Sequence, residues 1–496
     1  MTSKAHINIV WLKRDLRLQD NEAIANALQS GKPTLLIYVF EHLLLNDNHY
    51  SERHFNFIKE SIRDINIQLK PFDTKVLSVT GDIQSVFNLI QSFYKIDAIY
   101  SHVETGILLT YNRDKEFSRY CRNNVISWKE SKNNGVERGL ANRENWLEEW
   151  EDYMSQPLVV FSPKDKQLLS LEEISILESV LTVTDLDTPE DTKFQKGGSS
   201  TAWKYANSFF ESRYKDYMFN ISKPEASRSS CSRLSPYIAW GNVSIRQVFQ
   251  EGQKIKSASK DKRNIGAFLS RLRWQAHFIQ KFEMEHTMEN ASVNKGYHKL
   301  KKSISLHYQK AWRDGQTGFP LVDASMRCLI ETGYVNFRMR AMLVSFFTHI
   351  LWQPWQHASE HLSKLFLDFE PGIHFPQLQM QAGETGINNL RIYNPTLNGL
   401  KHDPDAEFIK KWVPELAHLD TPFIHEPYLM TELEQGLYNF KLGVDYPEPI
   451  VDIKENRKRA SDILWNMKRD PEVVKESFRI LKRHTLQDRS RLLKSD

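Results

Sequence analysis

From Ile7 onward the chain alternates short apolar, β-branched runs with amphipathic stretches. Ile7–Trp11, Thr34–Phe40, Lys75–Val79 and Ala98–Tyr100 each adjoin such a stretch. This alternation predicts a parallel sheet flanked by helices. Val10 and Trp11 end the first run, so Lys13, Arg14 and Asp15 fall at the C-terminal edge of the sheet, where open α/β sheets bind ligands. Between about Pro157 and Gly198 the pattern weakens into polar residues, acidic over 185–191, that end in the pair Gly197 and Gly198. After Thr201, segments such as Ala267–Glu285 and Phe337–Trp352 carry apolar residues every three or four positions, with few β-rich runs. The expected organisation is an α/β domain over 1–135, a linker over 136–196 and a large all-helical domain over 197–496. A basic amphipathic helix from Arg457 onward (Ile463, Leu464, Met467, Val473, Phe478, Leu481) closes it and reads as docked on the core in preference to a partner site.

Composition narrows the classes. The 496 residues are 40% hydrophobic and 26% charged, so large cores are within reach, and the 11% aromatics include twelve Trp. A net charge of +4 over this length neither requires nor excludes a nucleic-acid partner, because a local basic face is still open. Cys121, Cys231 and Cys328 lie far apart, which argues against a disulfide framework and against a four-cysteine iron–sulfur cluster. No apolar run is long enough for a signal peptide or membrane span, so a cytosolic protein is expected.

Three clusters carry candidate chemistry. Ser229 to Tyr237 (SSCSRLSPY) gathers hydroxyls and Arg233 just before Pro236, a residue that starts helices; such a loop suits a phosphate, or Ser235 simply caps the helix. Arg271 and Trp274 fall one helical turn apart, an arrangement that can hold a base or merely decorate a helix. Arg338 and Arg340 precede an apolar helix, with Asp368 and Glu370 after it. An Arg340–Asp368 pair is the economical arrangement, since an unpaired buried charge is expensive.

Together these segments resemble the photolyase and cryptochrome family from about Ile7 to Ala460. The resemblance is carried by Val10 to Asn21 (VWLKRDLRLQDN), Asn134 to Val136, Ser232 to Pro236, Thr317 to Ala324 (TGFPLVDA), Arg391 to Pro395 (RIYNP), Asp403 to Asp405, Trp412 to Leu416 (WVPEL) and Tyr446 to Asp452 (YPEPIVD). It implies an α/β antenna domain, a long linker and a helical domain holding FAD. It also implies roles. Cys231, Ser232, Arg233, Leu234 and Ser235, with Tyr217 nearby, match the loop at the FAD pyrophosphate. Arg340 and Asp368 match the ion pair beside the isoalloxazine, Glu370 an acidic position near flavin and ribose, and His374 the residue facing flavin N5. Trp274 matches the residue that stacks on the lesion, and Arg338 one near the DNA. The activity implied is light-driven splitting of a pyrimidine dimer flipped out of UV-damaged DNA.

The departures are as informative. Arg271 stands where many dimer-splitting relatives have Glu, Phe337 where Asn is usual, Ala341 at a lesion-contacting Met position and His374 in place of Asn. Phe337 also occupies the place of the His used for (6-4) lesions, which weighs against that specificity. In the electron-supplying Trp chain, Trp355 matches the middle member, but Leu378 and Lys302 stand at the inner and outer positions. Trp352, three residues before Trp355 and expected on the same helical face, is an alternative with Tyr297, Tyr308 or Tyr334, and both Trp also read as plain core. A monomeric repair lyase for cyclobutane dimers is expected. The alternatives are repair of (6-4) lesions and a cryptochrome-type photoreceptor without repair activity, the latter favoured by Arg271, Phe337 and His374, whereas the short tail beyond Asp452 favours repair. A second chromophore at the sheet edge stays open among folate, deazaflavin, flavin or none.

Overall fold

The structure, a computed structural model, describes residues 4–190 and 193–485. Five parallel strands, β1 (His6–Leu12), β2 (Thr34–Glu41), β3 (Leu77–Gly81), β4 (Lys95–His102) and β5 (Ser127–Ser131), form one sheet in the order β3-β2-β1-β4-β5. β1 and β2 are buried almost throughout, as a central parallel strand covered on both faces should be. β5 (SWKES) is largely exposed. Charged side chains on a short edge strand discourage pairing with another chain, and they also hide the strand from an apolar pattern.

The segment over 136–190 of the expected linker packs against the sheet. It contains α1 (Trp146–Ser155), which buries Trp146 and Trp150, and α2 (Leu171–Glu178), which opens with a Ser170–Glu173 capping box. Its backbone extends the sheet's bonding: Thr34 N–H donates to the Gln167 carbonyl at 2.9 Å, and Leu169 N–H donates to the Thr34 carbonyl at 3.1 Å.

The rest is helical. α3 (Lys262–Met284) crosses another helix, Pro371–Gln381, at Gly372, where a Cβ would lie 2.9 Å from Ile279 Cα. The helix expected over Phe337–Trp352 is instead α4 (Phe337–Ser345), continued by a π-helical turn over Phe346–Ile350. Trp352 then takes a left-handed φ of 55°, and Pro354 caps α5 (Trp355–Leu365). Trp352 and Trp355 therefore share no helical face, because the chain turns between them. After α6 (Pro371–Gln381), the basic tail also divides: Asp470 and Pro471 end α7 (Ile453–Lys468) and start α8 (Pro471–His484). Leu464 and Val473 are buried, whereas Phe478 is 69% exposed. Residues 486–496 of the expected tail helix lie outside the described residues.

The helical part seals the sheet edge on which Lys13, Arg14 and Asp15 sit. All three are buried. Arg14 lies 4.3 Å over the Trp240 ring, donates from Nε to the Ala239 carbonyl at 3.1 Å and to the Phe369 carbonyl, and stands 3.6 Å from Glu370. Gly241, at φ +74°, lets the chains close up: a Cβ there would sit 2.3 Å from the Arg14 carbonyl oxygen. Asp15 meets His102 at 2.7 Å. The expected ligand edge is thus largely filled by protein. Beside it Arg113 bonds Glu41 and Glu104 at 2.6 Å and Asp114 at 2.8 Å, around a cavity of about 30 Å³.

Candidate functional site

The loop at Cys231 to Ser235 is held in shape by its neighbours. Arg233 takes a left-handed φ of 60°, and Gln195 clamps it reciprocally: Gln195 Nε2 donates to the Arg233 carbonyl at 2.9 Å, and Arg233 donates to Gln195 Oε1 at 2.7 Å. The guanidinium rests 3.9 Å from the Tyr334 ring, and its Nε has no partner. Arg213 donates to the Ser229 carbonyl at 3.0 Å and to the Cys231 carbonyl. Burial pushes the Cys231 thiol up to about 12, so it is inert packing. Leu234 is buried and anchors the loop. Ser232 lies 3.4 Å from the Leu234 N–H, which leaves its hydroxyl weakly engaged. Ser235 does not cap the following helix. It is the first residue of a five-residue helix, Ser235–Ala239, and its hydroxyl bonds Asp368. A helix that short offers little dipole, so anion affinity here comes from hydroxyls and guanidinium.

Arg340 and Asp368 form a two-pronged pair, with Nη1–Oδ1 at 3.0 Å and Nη2–Oδ2 at 2.9 Å, and Arg340 Nε donates to the Val335 carbonyl. Burial alone raises the Asp368 carboxyl, but the Arg340 guanidinium and the Ser235 hydroxyl outweigh it and hold the group below the usual carboxylate range. Glu370 is raised by burial, against the opposing pull of Arg14. His374 packs edge-on to Phe369 and Phe375 and lies 3.1 Å from both the carbonyl and the hydroxyl of Ser359. Burial lowers it to about 3, so the ring is neutral. A carbonyl only accepts, so Nε2 carries the proton and Nδ1 is left as an acceptor.

The rim lies on α3 and α4. Trp274 is half-buried against His277 and Phe278. Arg271 is exposed, bonds the buried Tyr217 hydroxyl and sits 5.5 Å from the Phe337 ring. Arg338 stands 5.2 Å from the same ring and donates to the Tyr393 hydroxyl at 3.3 Å. Asn336 caps α4 through the Met339 N–H and so sets Phe337 and Arg338 in its first turn. Phe337, 41% exposed between two guanidiniums, is a platform that reading single positions missed. Gln195 was missed too, and Tyr334 was read only as an alternative relay residue, since nothing local in the sequence connects either to the Arg233 loop.

The two expected electron-relay tryptophans lie apart. Trp355, in the main core, donates from Nε1 to Ser292 Oγ at 3.2 Å. Trp352 packs with Tyr297 in a separate cluster, 5.1 Å from the Lys302 ammonium. A buried polar chain spans the gap: Ser292 donates to Glu384 Oε2 at 2.6 Å, and Lys302 donates to Glu384 Oε1 at 2.9 Å. Tyr308 packs on the main core and Tyr334 lies beside Arg233 and Arg340, so of the three tyrosines Tyr297 alone shares the Trp352 cluster.

Two sequence families match this chain: "DNA photolyase" over residues 8–171 and "FAD binding domain of DNA photolyase" over residues 268–466. The chain belongs to the photolyase and cryptochrome family. It is similar to a deoxyribodipyrimidine photo-lyase of Alkalihalophilus pseudofirmus, 27% identical over 492 residues that cover 93% of this chain and 98% of that protein. It is equally similar to cryptochrome-2 of Arabidopsis thaliana, 28% identical over 541 residues that cover 97% of this chain and 83% of that protein. The cryptochrome structure from Synechocystis sp. shares the fold, with a TM-score of 0.84 at 22% identity, covering 93% of this chain and all of that one. Family members bind FAD, and the donor set here suits it: Arg233 has an unsatisfied Nε, Ser232 a weakly engaged hydroxyl, and the Arg340–Asp368 pair a fixed dipole. Among the described residues no helix is long and apolar enough to cross a membrane.

Proposed function

We propose that this family member is a light-driven repair lyase for cyclobutane pyrimidine dimers in UV-damaged DNA, a cytosolic monomer that uses FAD. The observation that supports this best is the rim: a half-buried Trp274 beside a Phe337 ring flanked by Arg271 and Arg338. An indole stacks on bases extruded from the duplex, and two guanidiniums at the mouth attract phosphates.

Reduced FAD, when bound, supplies the photoexcited electron that splits the dimer. The residues proposed to hold it are Tyr217, Cys231, Ser232, Arg233, Leu234 and Ser235 on the phosphate side, and Arg340, Asp368, Glu370 and His374 on the ring side. Arg340 and Asp368 present opposite charges in a rigid pair, so little reorganisation is needed when charge moves nearby. His374, neutral and donating to Ser359, offers Nδ1 as an acceptor and adds no competing charge. Trp274 stacks on the lesion, and Arg271, in place of the Glu of many relatives, stabilises negative charge on it instead of bonding the pyrimidines. Trp355 and Trp352 are the proposed electron suppliers.

One observation favours a second reading. Arg271 is tied to Tyr217 and Phe337 within the protein, so the pocket mouth is partly self-satisfied, as in a photoreceptor that takes no lesion. The test illuminates reduced, flavin-loaded protein with oligonucleotides carrying either a cyclobutane dimer or a (6-4) product. Restored pyrimidines from the cyclobutane substrate are expected; no repair of either, single- or double-stranded, sinks the lyase reading.

A further inference from the structure

A cavity of about 390 Å³ lies between the segment at Leu390 to Asn394 and one face of α7. Lys454, Arg457, Lys458 and Trp465 recur along that face at three-, four- and seven-residue intervals. The three cations make no ion pair among the described residues, and against them the lining holds a single carboxylate, Asp462. Trp465 is 48% exposed, with only the Lys468 ammonium 5.2 Å from its ring among the cations described, while Leu390 and Ile392 provide the apolar side. Two of the lining residues, Ile392 and Asn394, flank Tyr393, whose hydroxyl accepts from Arg338 at 3.3 Å. The cavity therefore begins one residue away from the rim of the proposed lesion site.

We propose that this cavity binds a nucleotide of a single DNA strand, its phosphate on Lys454, Arg457 and Lys458 and its base against Trp465. The volume suits one nucleotide, the charge suits its phosphate, and an exposed indole is the surface on which unpaired bases stack. Asp462, Ser461 and Asn394 supply the polar groups for the base edge. The proposal rests on the DNA reading above and extends it to the strand beside the lesion.

The test measures binding of flavin-loaded protein in the dark to an undamaged oligothymidylate, across salt concentrations, for wild type, Trp465→Ala, Trp465→Phe and the double variant Arg457→Gln/Lys458→Gln. Trp465→Ala is expected to bind about ten-fold more weakly, Trp465→Phe to recover most of that, and the double variant to flatten the salt dependence. Flavin content and spectrum should stay as in wild type throughout. Unchanged oligothymidylate affinity in Trp465→Ala overturns the proposal, even if dimers are repaired. Saturable binding of free thymidine monophosphate without binding of the strand overturns it as well. Strand binding through Trp465 without repair of any lesion keeps the cavity and removes the lyase reading, so the two fail separately.

Discussion

Two regions of this protein bury arginine among carboxylates, and they are built to opposite ends. At the sheet edge Lys13, Arg113 and Arg138 face Glu41, Glu104 and Asp114, three cations against three carboxylates, beside a cavity of about 30 Å³. In the helical pocket Arg233, Arg271, Arg338 and Arg340 gather near one tightly paired carboxylate, Asp368, and the Nε atoms of Arg233 and Arg338 keep no protein partner. The first cluster neutralises itself and reads as structure. The second carries more cations than carboxylates and has a rim that reaches solvent, which is what a site for an anionic ligand requires. Buried charge is therefore no sign of function by itself; the balance between the charges and their exposure at the rim separates the two cases.

The largest effect should come from breaking the closed cluster. Arg113→Met takes from the buried Glu41 its cation partner and weakens the compensation of Glu104 and Asp114, and is expected to cost about 3–5 kcal/mol in chemical denaturation, with flavin content per folded molecule unchanged. Lost flavin with unchanged stability would place the cofactor at the sheet edge and reverse the comparison. In the open cluster, Asp368→Asn unpairs Arg340; a stability loss of about 2 kcal/mol and a fall in the flavin-to-protein absorbance ratio are expected. A normal ratio would show that the pair does not serve the cofactor. Trp274→Ala should weaken binding of a dimer-containing oligonucleotide about ten-fold in a titration, with flavin retained. Unchanged affinity would take Trp274 out of the site.

The smallest effect is a difference in pH response. Burial, opposed by Arg113, raises Glu41 to about 7, so its stabilising contribution is full below its ordinary 4.5 and is lost as pH rises through about 7. Burial lowers His374 to about 3, so its contribution is full above 6.5 and is lost as pH falls toward about 3. Melting temperatures taken between about pH 4 and pH 8 should therefore show Glu41→Gln gaining on wild type toward the alkaline end and His374→Gln gaining toward the acid end. Parallel curves would mean that the two regions do not differ in this way.

Much of this was legible in the chain itself. Four strands are apolar runs because central parallel strands are covered on both faces. β5 escaped because it is a charged edge. The Arg340–Asp368 pair followed from the cost of leaving a charge alone, and the structure has it with two hydrogen bonds. Trp352 was misplaced because three-residue spacing was read through Pro354, where Trp352 itself turns left-handed and helical periodicity no longer holds. Ser235 as a helix cap failed for a similar reason: a tertiary partner, Asp368, claimed its hydroxyl. The Gln195–Arg233 clamp joins a linker residue to a helical-domain loop, and no local pattern announces such a contact.

The seam at Arg14 and Gly241 has a thermodynamic consequence. With an arginine from the sheet bonded to carbonyls at Ala239 and Phe369, and no room at Gly241 even for a methyl group, the sheet cannot open without disturbing the residues next to Asp368 and Glu370. The two parts then unfold as one cooperative unit, and a cofactor that saturates the helical pocket slows amide hydrogen exchange in β1 and β2, strands it never touches.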